Sequence, residues 1–346
     1  MINVVLQPHR EEVLYLTYSP RGIHGSHRYQ YEALRGHMVS LFKRTLLTKL
    51  PSRKYTIIVS EGWRPSIYGS MLKRLGYTKI HVNITFGDFI KLAEHHPWTK
   101  GLVKDVCDAI DVFVANSTLT YERLLNILSI DGDRVFVSWP IIVEDKLFML
   151  KNVKPSYNDN KLIICHMSRL RDEDGPGNLI RIYEKLKDEL NGRVCMYIIG
   201  KPLEKRYLKL YNELIQYSKK DENFRVTGYL PYNMVCEIFK RCSFFIYPAY
   251  LKSFGLPVTE AMVSGLIPIV TVTTGARDFV YMVDEKLVVD SVDEMVKVLL
   301  ELHTYKAKEL KKLSEKARKV ALGWSKENAK AYYIRRLRDV LKGVKM

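Results

Sequence analysis

Residues 253–262, SFGLPVTEAM, set a glycine, a proline and a glutamate at spacings that suit an anionic ligand. Gly255 lets the backbone approach a bound group closely, because it carries no Cβ. Pro257 suits the first turn of a helix, where a missing N–H is not needed. The N-terminus of that helix would turn free N–H groups and the positive end of its dipole toward a ligand such as a diphosphate. Glu260, in the same turn, can accept hydrogen bonds from ribose hydroxyls. Taken alone, it reads first as a favourable charge at a helix start. In the first half of the chain His24, His27, Glu61 and Asp88 each fall in a predicted strand-end loop. The two histidines can donate to phosphate or sugar, and equally read as ordinary exposed loop histidines.

The elements that must hold these residues alternate between short apolar runs and helical patterns. The first half reads as strands at 13–17, 55–59, 80–85, 111–115 and 135–138, with helices at 26–50, 67–75 and 119–128. Leu34, Met38, Leu41 and Leu46 give the 26–50 segment its helical spacing, and the Asn116-Ser117-Thr118 run caps the 119–128 helix. Residues 151–161, KNVKPSYNDNK, read as a polar domain linker. The second half repeats the pattern, with strands at 162–167, 194–200, 224–227, 243–247 and 267–272. Helices are expected at 178–190, 203–219, 233–241 and 258–264, and dominate from 292 onward. Such alternation implies parallel sheets covered by helices. A length of 346 residues fits two such domains. Open parallel sheets bind ligands beyond their strand C-termini, so the strand-end loops are where chemistry is expected.

The run YPAYLKSFGLPVTEAMVSGLIPIV resembles the signature of family-4 retaining glycosyltransferases, with Phe254, Gly255, Leu256, Pro257, Glu260, Ala261, Met262, Gly265 and Pro268 matching in order. The resemblance implies an α/β fold of two Rossmann-like domains with parallel sheets facing a central cleft (GT-B). Residues 1–152 would form the acceptor side, 153–325 the nucleotide-sugar-binding domain, and 326–346 a helix closing back onto the first domain. It implies transfer, with retention, from a nucleotide-diphosphate-sugar donor to a sugar, lipid-linked or protein-linked acceptor, with no cofactor and no metal. Arg169, in CHMSRLRDEDGPGNLI, falls on an arginine that contacts the diphosphate, a role suited to a planar, two-pronged cation. Gly200 closes the next strand. Gly228, Tyr229 and Leu230 lie where the family cradles the base, and Ser253, Phe254, Gly255 and Leu256 form the donor loop. Gly25 and His27 belong to 22–28, which occupies the place of a glycine-rich loop near the donor phosphates. Asp88 follows Gly87 where the family approaches sugar and acceptor, so it is expected to hold an acceptor hydroxyl and relay its proton. Glu61 is expected to do the same or to bind a sugar hydroxyl. VEDKLFM, residues 143–149, resembles the element before the linker, and 275–278 occupies a Gly-x-x-Glu turn.

Three positions depart from the pattern. Lys252 stands where the family has a glutamate, Asp174 where it has a lysine, and Phe86 where it has a histidine. The first two invert a charge near the donor. Lys252 then either takes over phosphate neutralisation while Asp174 binds a hydroxyl or pairs with a cation, or Arg171 substitutes for the missing lysine, or catalysis is lost. In the first case Arg169, Lys252 and the helix terminus supply the positive field that a leaving diphosphate requires.

Net charge is +17, and residues 303–346 carry fourteen Lys/Arg against four Asp/Glu. A basic face attracts anionic partners, so peripheral contact with an anionic membrane is expected, and nucleic acid stays open as a partner. Leu310, Leu313, Ala317, Val320 and Ala321 form one apolar face there; Lys311, Lys312, Lys316, Arg318 and Lys319 crowd the rest. The alternatives to a transferase are a nucleic-acid-directed sugar transferase or binder, and a non-catalytic nucleotide-sugar-binding protein. The five scattered cysteines read as small core residues. No run approaches a membrane span and residues 1–10 carry no signal-peptide pattern, so a cytoplasmic protein is expected. Three glutamines beside abundant Lys, Ile and Tyr fit a heat-adapted, thermophilic source.

Overall fold

The computed structural model describes residues 12–18, 25–34, 36–41, 50–157 and 160–343. It divides into two compact units, Met1–Ile141 with Ser325–Met346, and Ile142–Trp324. Each contains one six-stranded sheet whose neighbouring strands are all parallel.

The first sheet is built from β1 (Val13–Thr17), β2 (His37–Ser40), β3 (Ile57–Glu61), β4 (Ile80–Thr85), β5 (Val112–Ala115) and β6 (Val135–Val137), in the order β2-β1-β3-β4-β5-β6. β1, β3, β4 and β5 are buried along their whole length, as strands covered on both faces must be. One face packs Leu14, Leu16 and Ile58 with Tyr68 and Leu72; another cluster gathers Phe89, Val103, Phe113 and Leu124. Ser117 caps the Thr118–Leu128 helix by accepting from the Thr120 N–H at 3.1 Å. The helix expected over 26–50 stops at Leu34. Beyond it His37–Ser40 pairs with β1 as a largely exposed edge strand, because Gly36 packs so closely on Val13 that a Cβ would sit 2.8 Å from it. Residues 88–108, to which the sequence pattern gave no element, hold the helices Asp88–His95 and Lys100–Asp108.

The returning Lys326–Gly343 helix belongs to this first unit and packs on the Arg28–Leu34 helix and β6. Its Tyr333 is fully buried and meets the rings of Tyr29 and Phe136 at 6.3 and 5.9 Å.

The second sheet comprises β7 (Leu162–Met167), β8 (Val194–Ile199), β9 (Phe224–Gly228), β10 (Phe244–Tyr247), β11 (Ile267–Thr271) and β12 (Val288–Val289). Its order is β12-β11-β10-β7-β8-β9. The chain moves outward from β7 to β9, then starts again at β10 beside β7. Ligand crevices in open parallel sheets form where the strand order reverses; here that point lies between the ends of β7 and β10. In the first sheet it lies between β1 and β3.

The segment read as a linker is held within the second unit. The Ser156 N–H donates to the Lys240 carbonyl at 3.0 Å, and the Tyr157 hydroxyl to the Gly265 carbonyl at 2.9 Å. Arg318, counted among the basic crowd of the Ala307–Gly323 helix, turns inward and donates to the carbonyls of Lys151, Val153 and Ser264 at 2.6–2.8 Å. All five cysteines are buried and free. No described helix is long and apolar enough to cross a membrane.

Two glycines bring the strand-end loops of the second sheet together. Gly200 (φ 127°) passes so near β7's loop that a Cβ would sit 1.9 Å from the Ser168 carbonyl, and Gly175 (φ 77°) so near β10's that it would sit 1.8 Å from the Pro248 carbonyl. Gly175→Ala is therefore expected to cost more than about 2 kcal/mol, from strain and collision together. Gly177→Ala, whose Cβ would meet nothing within 4 Å, should be near neutral; thermal denaturation of both variants tests the pair.

Candidate active site

The reversal point of the second sheet holds a buried polar cluster. Asp174, in the loop after β7, is 1% exposed. Its Oδ1 receives the Tyr247 hydroxyl at 2.7 Å and the Lys252 ammonium at 2.5 Å. Burial opposes the charged carboxylate, but Lys252 and Tyr247 outweigh it and hold the Asp174 pKa below the usual range. Lys252 is fixed by its backbone as well: its N–H donates to the Thr273 carbonyl at 2.9 Å, and its carbonyl accepts from the Gly275 N–H at 2.8 Å. Glu173 lies 3.6 Å from the same ammonium. Beneath the cluster the His166 ring stacks on Tyr247 at 5.3 Å. Burial pushes its pKa down to about 4, so the ring is neutral at pH 7. The Ile246 carbonyl at 3.1 Å takes its Nδ1 proton, leaving Nε2 to accept from the Ser168 hydroxyl at 2.8 Å.

The Leu256–Val263 helix opens beside this cluster. Gly255 is its N-cap with φ 100°, and Pro257 lies in its first turn. Phe254 is 3% exposed and packs edge-on against Phe279 at 5.9 Å, so that this loop residue faces the core. Glu260 is 3% exposed and pairs with Lys146, from the Glu144–Lys151 helix, at 3.1 Å. Arg169 is exposed, while Arg171 pairs with Glu204 at 3.0 Å. Gly200 donates its N–H to the Gly228 carbonyl at 2.8 Å, and Tyr229 just beyond is 74% exposed.

In the first unit two carboxyls sit at neighbouring strand ends. Glu61, the last residue of β3, is 7% exposed; its Oε2 accepts from the Thr17 hydroxyl at 2.8 Å, and its Oε1 is buried without a partner. Burial raises its pKa to about 7, against the opposing pull of Thr17. Asp88 opens its helix behind Gly87, a left-handed N-cap. Its Oδ2 accepts from the Trp63 N–H, while its Oδ1 is buried and unpartnered. Burial raises its pKa too, against surrounding backbone N–H groups. Gly62 (φ 77°) makes room for this carboxyl, since a Cβ there would lie 2.9 Å from Oδ2.

Residues 150–320 match the family model described as glycosyl transferases group 1. That segment is just under half of the chain, and it is similar to the family. The serotype-specific mannosyltransferase WbdA of Escherichia coli is 24% identical over 166 residues, 46% of this chain. The match spans only 20% of WbdA's own length. HepE of Anabaena, solved in complex with UDP-glucose, superposes with a TM-score of 0.70 at 13% identity, covering 94% of this chain and 98% of HepE. Sucrose-phosphate synthase of Thermosynechococcus elongatus gives 0.68 at 13% identity, covering 96% and 89%. These likenesses identify the fold as two Rossmann-like α/β units of the GT-B kind.

Within the second unit the structure brings Lys252, Ser253, Gly255 and Leu256 to the reversal point of the sheet, with Arg169 on the loop that follows β7. Asp88, Glu61, Gly25 and His27 belong to the first unit. His27 is not an exposed loop histidine: it is 5% exposed, its ring 4.8 Å from that of Phe86. His24 lies outside the described residues. The sequence reading missed Lys146, Tyr232, Tyr247 and His166. Lys146 lay in the quoted VEDKLFM run, Tyr247 and His166 in strand patterns, and Tyr232 just before the helix expected over 233–241, with no chemical signal at any of them.

Glu61 offers a test independent of any substrate. Its folded pKa lies above its ordinary value of 4.5, so the folded state binds more protons than the unfolded one. Stability is then lost as pH rises from the unfolded pKa through about 7. Glu61→Gln should gain on the order of 1–3 kcal/mol over the native protein between about pH 5 and pH 8, read from denaturation midpoints.

Proposed function

We propose that this protein is a retaining glycosyltransferase. It moves a sugar from a nucleoside-diphosphate-sugar to a hydroxyl of a sugar, lipid-linked or protein-linked acceptor. The base lies against the Gly228–Leu230 backbone and the ribose against Glu260. The diphosphate faces the N-terminus of the Leu256–Val263 helix, Arg169 and Lys252. As the glycosidic bond breaks, negative charge grows on the leaving diphosphate, and preorganised cations and N–H groups stabilise it without reorganising. Asp88 takes the acceptor proton and Glu61 holds a sugar hydroxyl. The UDP-glucose in the structure of HepE supports a donor of this class.

One observation favours transfer over mere binding. The two inverted charges, 78 positions apart in sequence, touch: the half-buried Lys252 pairs with the buried Asp174 at 2.5 Å. A cation is thereby retained at the site, delivered from the opposite loop. Donor hydrolysis and transfer by Lys252→Glu, Asp174→Lys and the double exchange test the reading. Each single variant should lose about tenfold or more, since it leaves an unpaired buried charge. The double variant should recover most of that loss. A native protein that neither binds nor turns over any nucleoside-diphosphate-sugar would sink the proposal; binding without turnover would favour a non-catalytic sensor.

Lys308, Lys311, Lys312, Lys316 and Lys319 are exposed along the Ala307–Gly323 helix. We read them as an electrostatic contact with an anionic membrane at the cytoplasmic face, where a lipid-linked acceptor would lie. Pelleting with phosphatidylglycerol vesicles, weakening as salt rises, is the expected result. Salt-dependent binding to duplex DNA in its place would favour the nucleic-acid reading.

A further inference from the structure

Glu260 is 3% exposed, and a carboxylate this deeply buried is tolerated only beside a counter-charge. The counter-charge comes from far away in sequence. Lys146 reaches Glu260 Oε1 at 3.1 Å across 114 residues. The same ammonium lies 4.2 Å from the centroid of the Tyr232 ring. Tyr232 opens the Tyr232–Arg241 helix, directly behind the loop that carries Tyr229 and Leu230. Burial and the neighbouring Glu260 carboxylate push its phenol far above the usual range. The Glu144–Lys151 helix packs on both the Tyr232–Arg241 and Leu256–Val263 helices. Lys146 is thus held twice, by a carboxylate on one side and an aromatic face on the other.

We propose that Lys146, seated on Tyr232, is a positioning residue that fixes the Glu260 carboxylate and so gives the site its preference for ribonucleotides over deoxyribonucleotides. Lys146 engages Oε1 and the Tyr232 hydroxyl donates to the same carboxylate, so its plane is set and its remaining lone pairs are offered to a ribose hydroxyl. A deoxynucleotide lacks that donor and forgoes a charge-assisted hydrogen bond, a loss felt as about tenfold in affinity. Lys146 itself touches no reacting atom. The inference rests on Glu260 facing the ribose, as in the proposed function.

Calorimetric titration of the full chain with UDP, GDP and ADP, each beside its 2′- and 3′-deoxy counterparts, tests it. The native protein should bind at least one ribonucleotide about tenfold more tightly than a deoxy form. Lys146→Met should shrink that preference to about twofold or less, and Lys146→Arg should restore it. An ion pair that served stability alone would lower the melting temperature and leave the ratio unchanged, and an unchanged ratio overturns the inference. Should Lys146→Met fail to fold, Lys146→Gln, a neutral donor of similar reach, decides by the same ratio. A native protein that binds none of the three nucleotides overturns the proposed function and this inference with it. A retained preference in the variants overturns this inference alone.

Discussion

The buried carboxylate of Asp174 constrains much of what surrounds it in the second unit. Asp174 is tolerated at 1% exposure only because Lys252 and Tyr247 converge on a single carboxylate oxygen. Removing one member of such a pair typically costs about 3–5 kcal/mol, because the remaining charge is stranded in a medium that cannot solvate it. The requirement propagates outward. Lys252 must be presented by a loop tied to Thr273 and Gly275. Gly175 must let the Asp174 loop press on the end of β10. His166 must stay neutral under Tyr247. The Lys252–Asp174 pair at this end of the sheet is therefore set in place by folding.

The two units treat carboxyl groups in opposite ways. Asp174 has cationic and hydroxyl partners and is held charged. Glu61 has a single hydroxyl on one oxygen, nothing on the other, and is pushed to about 7. Where environments drive carboxyls apart in this manner, one is suited to fixing charge and the other to exchanging protons near neutral pH. Neither property follows from residue type.

What the sequence disclosed follows from how local each signal is. LIICHM and VCMYII read as strands because buried parallel strands are continuous apolar runs. HMVS did not, because an exposed edge strand has no apolar face to display and its spacing also fits a helix. β12, two residues long, is too short to carry a pattern. Gly255, Pro257 and Glu260 lie within six positions, so their joint meaning could be read directly. The Lys146–Glu260 and Asp174–Lys252 pairs could not. Lys146 gave no signal of its own, and Lys252 and Asp174 read as one of several possible exchanges of charge; the folded chain adds that the partners of each pair touch.

The chain path has a consequence for how the protein is made. The second unit is an insertion between two parts of the first, and Ala329, Tyr333, Leu337 and Leu341 fill the first unit's core from beyond residue 324. Domains usually fold in the order in which they are synthesised. Here the chain path runs against that order, because the first unit takes residues from both sides of the second. The second unit has all its described strands once residue 289 has been made. The core of the first unit is complete only when the Lys326–Gly343 helix has been made and has packed on it.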